Sequence, residues 1–310
     1  MLNSINFVLL GDHSIASQLG KKGTTTDIAI YDRKTADTVY TWTVPLTFPE
    51  KIQPLMQALN IAEYAILNAA KLDKYLGEQI VALDSAGFKD GFILHSYEVD
   101  REKLEAMLKS TSLANFRFVD SIDQLKEEMA RLKPKGTQGP LMIPIDHAFD
   151  VKGVGTVALG VVKQGSVKVY DELELMPSKK RITIKSIQMH DDPVQAASSP
   201  SRVGLAIKGV GADDIARGDV IGVPDAVRIS SGTLSTKFVK SPFFKADLPE
   251  NQMYMISVGM QIRAVKIRTE SSGMMDIMLD KPIAYYEGQS CVLLKPDNPG
   301  SRVAGVGTLQ

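Results

Sequence analysis

Gly11 closes a short apolar run, Ile5–Leu10, and leads into Asp12-His13-Ser14-Ile15-Ala16-Ser17-Gln18. A glycine at the carboxyl end of a buried strand is where a phosphate-cradling loop falls in an α/β sheet. Such a loop reads Gly-x-x-x-x-Gly-Lys-[Ser/Thr]. Its glycines let backbone amides approach the phosphates, its lysine neutralises them, and its hydroxyl holds magnesium. Counted from Gly11, the second glycine position is Ala16, the lysine position is Ser17 and the magnesium position is Gln18. The spacing of a phosphate site is therefore kept without its cation or its metal-holding hydroxyl. No other constellation offers catalysis. Ser17 and Ser121 have no histidine or aspartate partner at nucleophile spacing, and no His/Cys/Asp group has metal-ligand spacing. No catalytic residue and no metal site are expected. Lys21-Lys22 and Lys179-Lys180-Arg181 read as solvated turn residues. Arg263, Lys266 and Arg268 are different. Strand alternation puts Lys266 and Arg268 on one face and Arg263 an odd step away.

Composition narrows the setting. The 310 residues suggest two or three domains. An apolar share of 44% is ordinary for a globular protein. Basic and acidic residues number 36 each, and the balance stays close to neutral on either side of Gln138. Global charge thus gives no drive toward non-specific nucleic-acid binding, although a local patch could sit inside a neutral total. Cys291 is the single cysteine, which excludes an intrachain disulfide and fits a reducing compartment. The chain starts without a basic segment, and its apolar runs are far shorter than the roughly 18 residues of a membrane span. A cytoplasmic protein without a membrane partner is expected.

The elements that would hold the loop alternate along residues 1–138. Strand patterns at Ile5–Leu10, Asp27–Tyr31, Val39–Val44, Tyr64–Leu67, Gly91–Leu94 and Phe116–Val119 are interleaved with helical periodicity. The helices are expected from Pro49 in a first turn through Leu59, over Leu72–Ala86 with Gly87 as cap, and over Arg101–Leu108 and Ile122–Leu132. This predicts a doubly wound parallel sheet. Trp42 is expected at the sheet edge or an interdomain surface. Lys133–Pro140 has linker composition. Beyond it, short β-rich runs recur with glycine-rich turns, and a break near Pro224 divides them into residues 139–225 and 226–310. The fold class expected is one α/β domain followed by two antiparallel β-barrels. Met253, Met255 and Met260 read as core filler.

The second region carries long ordered motifs: Ile145-Asp-His-Ala-Phe-Asp-Val-Lys-Gly-Val-Gly-Thr-Val157, Gly165-Ser-Val-Lys-Val-Tyr-Asp-Glu-Leu173, Ile184–His190, Arg202–Leu205 and Asp214–Ile221. They resemble the second domain of translational GTPases, most closely the selenocysteine-specific branch of the elongation factor Tu family in its archaeal, methanogen type. Ser241–Lys245 and Val258–Gln261 resemble the third domain of that branch. The resemblance implies that residues 1–138 form a GTPase-like domain with a degenerate nucleotide site. The family's switch survives in part as Lys22-Gly-Thr-Thr25, with Thr25 matching the γ-phosphate-sensing threonine. Its magnesium- and water-orienting motif falls on Pro45–Pro49 and loses every functional residue. Its guanine-reading motif falls on His95-Ser-Tyr-Glu98, with only Glu98 similar, and Ser121 matches the last nucleotide motif. The vestigial nucleotide site is thus Gly11, Ala16, Ser17, Gln18, Thr25, His95 and Glu98.

The resemblance also implies RNA contacts. The family packs the aminoacyl end of tRNA against the second domain, where Asp146, His147 and Phe149 match, with Phe149 read as barrel structure. It lays the acceptor and T-stem backbone along the third, where Arg263, Lys266 and Arg268 suit phosphate contacts. The expected protein is an interaction partner of the translation apparatus. It would bind tRNA, aminoacyl-tRNA or the ribosome, with GTP binding and hydrolysis largely lost and no cofactor required. Two alternatives remain: a divergent working GTPase using GTP and magnesium to deliver a special aminoacyl-tRNA, and a regulatory scaffold of the translation apparatus.

Overall fold

A computed structural model describes residues 2–269 and 273–310. Met1, part of the chain start considered above, lies outside them. The first domain is a seven-stranded sheet in the order β2-β3-β4-β1-β5-β6-β7. Its strands are β1 (Asn3–Gly11), β2 (Lys21–Thr25), β3 (Ile28–Lys34), β4 (Thr38–Pro45), β5 (Tyr64–Ala69), β6 (Gly91–His95) and β7 (Arg117–Phe118). The five strands from β4 to β7 run parallel. The sheet is not parallel throughout, because β2 and β3 complete it as an antiparallel edge. The sequence did not announce β2. Its residues Lys-Lys-Gly-Thr-Thr are mostly exposed, so no apolar alternation marks it.

Five helices lie among these strands: α1 (Ala16–Leu19), α2 (Gln53–Ile61), α3 (Lys74–Ser85), α4 (Arg101–Leu108) and α5 (Ile122–Ala130). Pro49 does not open α2. It lies in the turn before it, and Pro54 takes the first-turn position, where the missing N–H is harmless. Asp73 caps α3 by accepting from the amides of Tyr75 and Leu76. Gly87, with φ of 78°, follows its last turn, where a left-handed residue is favoured. Ser121 proves to be the N-cap of α5, its hydroxyl accepting from Gln124 N at 3.1 Å. One core cluster gathers Phe7, Leu9, Tyr40, Trp42, Tyr64 and Phe92 from the strands with Ala16, Leu19, Leu125 and Met129 from α1 and α5. Trp42 is not at an edge. It is fully buried, stacked on Phe7 at 6.0 Å and on Tyr40 at 6.1 Å, because β3 and β2 extend the sheet past its strand.

The second region holds β8 (Met142–Val151), β9 (Gly155–Val161), β10 (Ser166–Lys168), β11 (Glu172–Met176), β12 (Lys180–Met189), β13 (Asp192–Val194), β14 (Ala196–Ser198), β15 (Arg202–Lys208) and β16 (Val220–Gly222). The order β11-β16-β8-β9-β15-β12, with β12 pairing back to β11, closes a ring of six strands. The third region holds β17 (Arg228–Ser230), β18 (Thr233–Lys240), β19 (Tyr254–Val258), β20 (Gln261–Thr269), β21 (Met274–Leu279), β22 (Ile283–Tyr285), β23 (Ser290–Leu294) and β24 (Val303–Leu309). Here β18-β21-β20-β19-β23-β24 form a closed barrel. Closure removes exposed sheet edges, which suits short antiparallel strands. Met260 is core, but Met253 is 54% exposed, since it precedes β19 rather than lying in it.

The chain condenses into two compact units. One joins the chain through Pro134 with Lys240–Asp247 and Leu294–Val306, and the other holds the rest. Within the first unit, Arg302 binds Glu78 of α3. Its Nε lies 3.0 and 3.1 Å from the two carboxylate oxygens, its Nη2 donates at 2.5 Å and its backbone N–H at 2.8 Å. Its Nη1 reaches the Pro49 carbonyl at 2.8 Å, and the guanidinium sits 5.5 Å from the Phe48 ring centre. Both side chains are nearly buried, at 12% and 7% exposure. Removing one partner of such a pair strands a charge and costs about 3–5 kcal/mol, whereas replacing both by apolar groups is often neutral. Urea denaturation of Glu78→Leu, Arg302→Met and the double variant is therefore expected to show two destabilised singles and a double near wild type. Additive losses would refute the coupling. In the second unit, burial pushes the Cys291 thiol up to about 11. Cys291 is expected to resist a thiol reagent in the native protein and to react only on unfolding, since the thiolate is the nucleophile.

Candidate functional site

The loop after β1 is tied down by its own chain. Gly11 has φ of 81°, and a Cβ there would collide with the Asn68 carbonyl, so glycine is needed for this close approach to β5. Asp12 N donates to Asn68 O at 2.8 Å, and Asn68 Nδ2 returns a bond to Asp12 O at 2.9 Å. The Asp12 carboxylate then turns onto the following single helical turn. Oδ1 accepts from Ser14 N at 2.9 Å and Oδ2 from Ser14 Oγ at 2.7 Å. Oriented backbone amides at a strand-to-helix turn make a natural anion cradle. Here the amides of Asp12 and Ser14 are both engaged within the protein.

A cavity of about 480 Å³ lies beside this loop, lined by Gly11, Asp12, His13, Phe48, Pro49, Lys71, Asp73 and Tyr75 among others. Of the residues expected to form the nucleotide site, only Gly11 borders it. Ala16 is buried in the core cluster. Ser17 and Gln18 are exposed on α1, which spans only four residues. Thr25 is exposed on β2, its hydroxyl 3.5 Å from the Gly23 carbonyl oxygen. His95 ends β6 half-buried, with Nδ1–H donating to Ser96 O at 3.0 Å and its ring against Phe118. Glu98 is exposed and accepts from Tyr97 Oη at 3.1 Å. The structure does not bring these side chains together around one ligand.

The cavity wall includes residues outside the phosphate-loop motif. Phe48 meets Tyr75 edge-on at 6.3 Å. Lys71, the lysine of the wall, is paired with Asp73 at 3.0 Å. The aspartate before the helical run Lys74–Ser85 was the available signal, as an N-cap. His13 Nε2 is buried with no hydrogen-bond partner among the described residues. Burial holds its pKa below the ordinary 6.5, against the opposing charge of Asp12.

On the barrels, the expected RNA residues divide. Asp146 is not a surface group. It is 7% exposed, and Arg202 grips its two oxygens at 2.5 and 3.0 Å, which satisfies the carboxylate inside the barrel wall. His147 and Phe149 stay on the surface of β8 with rings 5.5 Å apart, and Phe149 is 37% exposed rather than core. Arg263 folds back, its Nε donating to Pro282 O at 3.3 Å. Lys266 and Arg268 are exposed on β20 and alternate with buried Val265 and Ile267, as expected. The register sets Arg268 opposite Asp276, which accepts a hydrogen bond from Ser235 Oγ at 2.6 Å. Among the described residues, no group of three or more His, Cys, Asp or Glu side chains could hold a metal ion, and no helix is long and apolar enough to cross a membrane.

Comparison with known proteins gives this geometry its setting. Residues 155–222 match elongation factor Tu domain 2. A protein of uncharacterised function from Methanocaldococcus jannaschii is 32% identical over 297 residues, covering 95% of this chain and 96% of its own. The selenocysteine-specific elongation factor of that organism is 27% identical over 235 residues, 68% of this chain and 50% of its own. The chain belongs to the translational GTPase superfamily. It is elongation-factor-like and related to the selenocysteine-specific branch, and it spans about half the length of that curated factor. Translation elongation factor SelB from Methanococcus maripaludis, solved in complex with the GTP analogue GppNHp, superposes with a TM-score of 0.86 at 22% identity. The match covers 100% of this chain and 79% of that one. A bacterial selenocysteine-specific elongation factor gives 0.85 at 22%, over 99% and 58%. These likenesses carry the fold: a mixed α/β domain and two barrels.

The neutral His13 makes a testable contribution. The unfolded chain protonates His13 near 6.5 and the folded chain only at lower pH. The stability tied to the neutral ring is thus complete above 6.5 and is lost as pH falls through 6.5 toward the folded value. Urea melts of wild type and His13→Asn at about pH 8 and about pH 5 are expected to show a wild-type advantage that shrinks in acid. An unchanged difference would rule out a buried neutral imidazole.

Proposed function

We propose that this chain is an elongation-factor-like protein that binds tRNA, aminoacylated or not, or the ribosome through its barrels, without a nucleotide-driven switch. The observation that carries the loss of nucleotide binding is the Asp12 carboxylate bonded to Ser14 in the loop where phosphate oxygens would need donors. Charge supports it. Around the cavity Asp12 and Asp73 are acidic, Lys71 is already paired with Asp73, and burial favours neutral His13. Phosphoryl transfer depends on lysine and magnesium to offset the charge of the triphosphate. A magnesium–triphosphate does not fit this donor set: Ser17 and Gln18 stand where the lysine and the metal-holding hydroxyl belong.

The RNA-binding half of the proposal draws on the elongation factor Tu domain 2 match and on exposed Lys266 and Arg268. Phosphate contacts of this kind need cations and no base code. The proposal includes a cytoplasmic setting and no required cofactor. One observation favours the working-GTPase alternative, with GTP and magnesium: a cavity persists at the carboxyl ends of the parallel strands, where ligands of such sheets bind. The scaffold alternative needs only the fold.

Magnesium-dependent GTP titration by calorimetry is expected to give no saturable binding at micromolar concentration. Filter binding with charged and uncharged tRNA is expected to detect complexes that weaken with salt. Micromolar GTP affinity, or ribosome-stimulated phosphate release, would establish the enzyme reading instead. Absence of tRNA binding together with absence of ribosome co-sedimentation would discard the RNA-binding role.

A further inference from the structure

The turn between β10 and β11 carries a side chain that neither packing nor backbone preference explains. Asp171 N donates to Lys168 O at 3.2 Å, so Lys168–Asp171 form a tight turn with Tyr170 at its third position. Tyr170 has φ of 73°. A positive φ confined to that position belongs to the turn type that ordinarily takes glycine there. The other non-glycine residues with positive φ among the described residues are Lys179, His190, Asp191, Asp225 and Asn251, all polar. A bulky aromatic in this conformation is an outlier. Strain of this kind persists where surrounding structure holds it, and it clusters at functional positions.

The surroundings do hold it. Tyr170 N donates to Ile184 O at 2.8 Å, Val169 N to Gln195 O at 3.0 Å, and the Asp171 carboxylate accepts from Lys168 N at 2.7 Å. The ring gains nothing from this. It is 78% exposed and makes no hydrogen bond or ring contact among the described residues. Lys168 precedes it by two residues. Lys185 follows Ile184, the residue that holds the turn, and donates from Nζ to the Val154 carbonyl at 2.9 Å. Both lysines are exposed, as is Glu172 two residues beyond the tyrosine.

We propose that Tyr170, with Lys168 and Lys185, is an RNA contact on the first barrel: the ring stacks on an unpaired base and the two ammonium groups meet flanking phosphates. Rigid aromatic rings stack on any base, and lysines track the backbone, so the pairing suits single-stranded RNA without a sequence code. This inference rests on the proposed role as an RNA-binding translation factor. It adds a contact point that the elongation-factor motifs do not identify.

The decisive substitution is Tyr170→Gly, because glycine suits the turn and removes the ring. Its unfolding midpoint is expected to equal or exceed that of wild type. Fluorescence anisotropy would use a labelled mixed-sequence RNA about 12 nucleotides long and deacylated bulk tRNA, alongside ribosome co-sedimentation. Tyr170→Gly is expected to bind the oligonucleotide about 5- to 100-fold more weakly, with Tyr170→Phe within about twofold of wild type. Lys168→Gln and Lys185→Gln are each expected to lower the slope of log affinity against log salt by about 0.7. Wild-type affinity in Tyr170→Gly would overturn the contact while leaving the RNA-binding role intact. Loss of ribosome co-sedimentation with unchanged oligonucleotide binding would also overturn the contact with single-stranded RNA. Failure of the wild-type protein to bind either RNA or ribosomes would sink the broader role and this contact with it.

Discussion

Two hydrogen bonds donated by Ser14 to the Asp12 carboxylate set the conformation of the loop after β1. A loop of this kind leaves amide groups pointing toward one spot, and unsatisfied amides are costly. Here the chain supplies its own carboxylate and needs no bound anion to hold the loop. The helix that follows is correspondingly slight. It ends after Leu19, and Gly20 passes directly into the edge strand β2. Gly20 itself sits against Asp32 and the Trp42 ring, so the chain there is built into the sheet. The segment Lys22–Thr25, which resembles part of a nucleotide switch, is hydrogen-bonded to β3 in this sheet.

The other side of the cavity is likewise built from packed protein side chains. Phe48 and Pro49 lie where the resemblance places a magnesium- and water-orienting motif, and both belong to an apolar wall. Arg302 fastens this segment from behind through the Pro49 carbonyl while gripping Glu78 on α3. The guanidinium's planar fork suits such a bidentate grip in a way a lysine could not. The cohesion of this unit thus draws on an ion pair within the chain itself.

Much of this architecture could be read from the residues. The strand at Ile5–Leu10, the helix over Arg101–Leu108 and the strands at Glu172–Met176 and Met274–Leu279 all have strong periodicity and clear turn residues, and all are found. The edge strand β2 was hidden because both of its faces are polar. Trp42 was misplaced because its depth depends on strands β2 and β3 covering it, which is tertiary information. At the candidate site, counting from Gly11 located the loop after β1 but not the cavity wall, since Phe48, Lys71 and Tyr75 come from separate connections. Asp146 misled for a related reason: its partner Arg202 is remote in sequence, and only the barrel's closure brings them together.

The burial of the Glu78–Arg302 pair has a historical side. Each residue alone would be a liability in that environment, so the two positions are free to drift only jointly. A homologue that has exchanged one of them but kept the other lacks the ion pair that ties the segment around Arg302 to α3. Paired presence or paired absence therefore serves as a marker, readable from bare sequences, of which relatives share this self-fastened first unit.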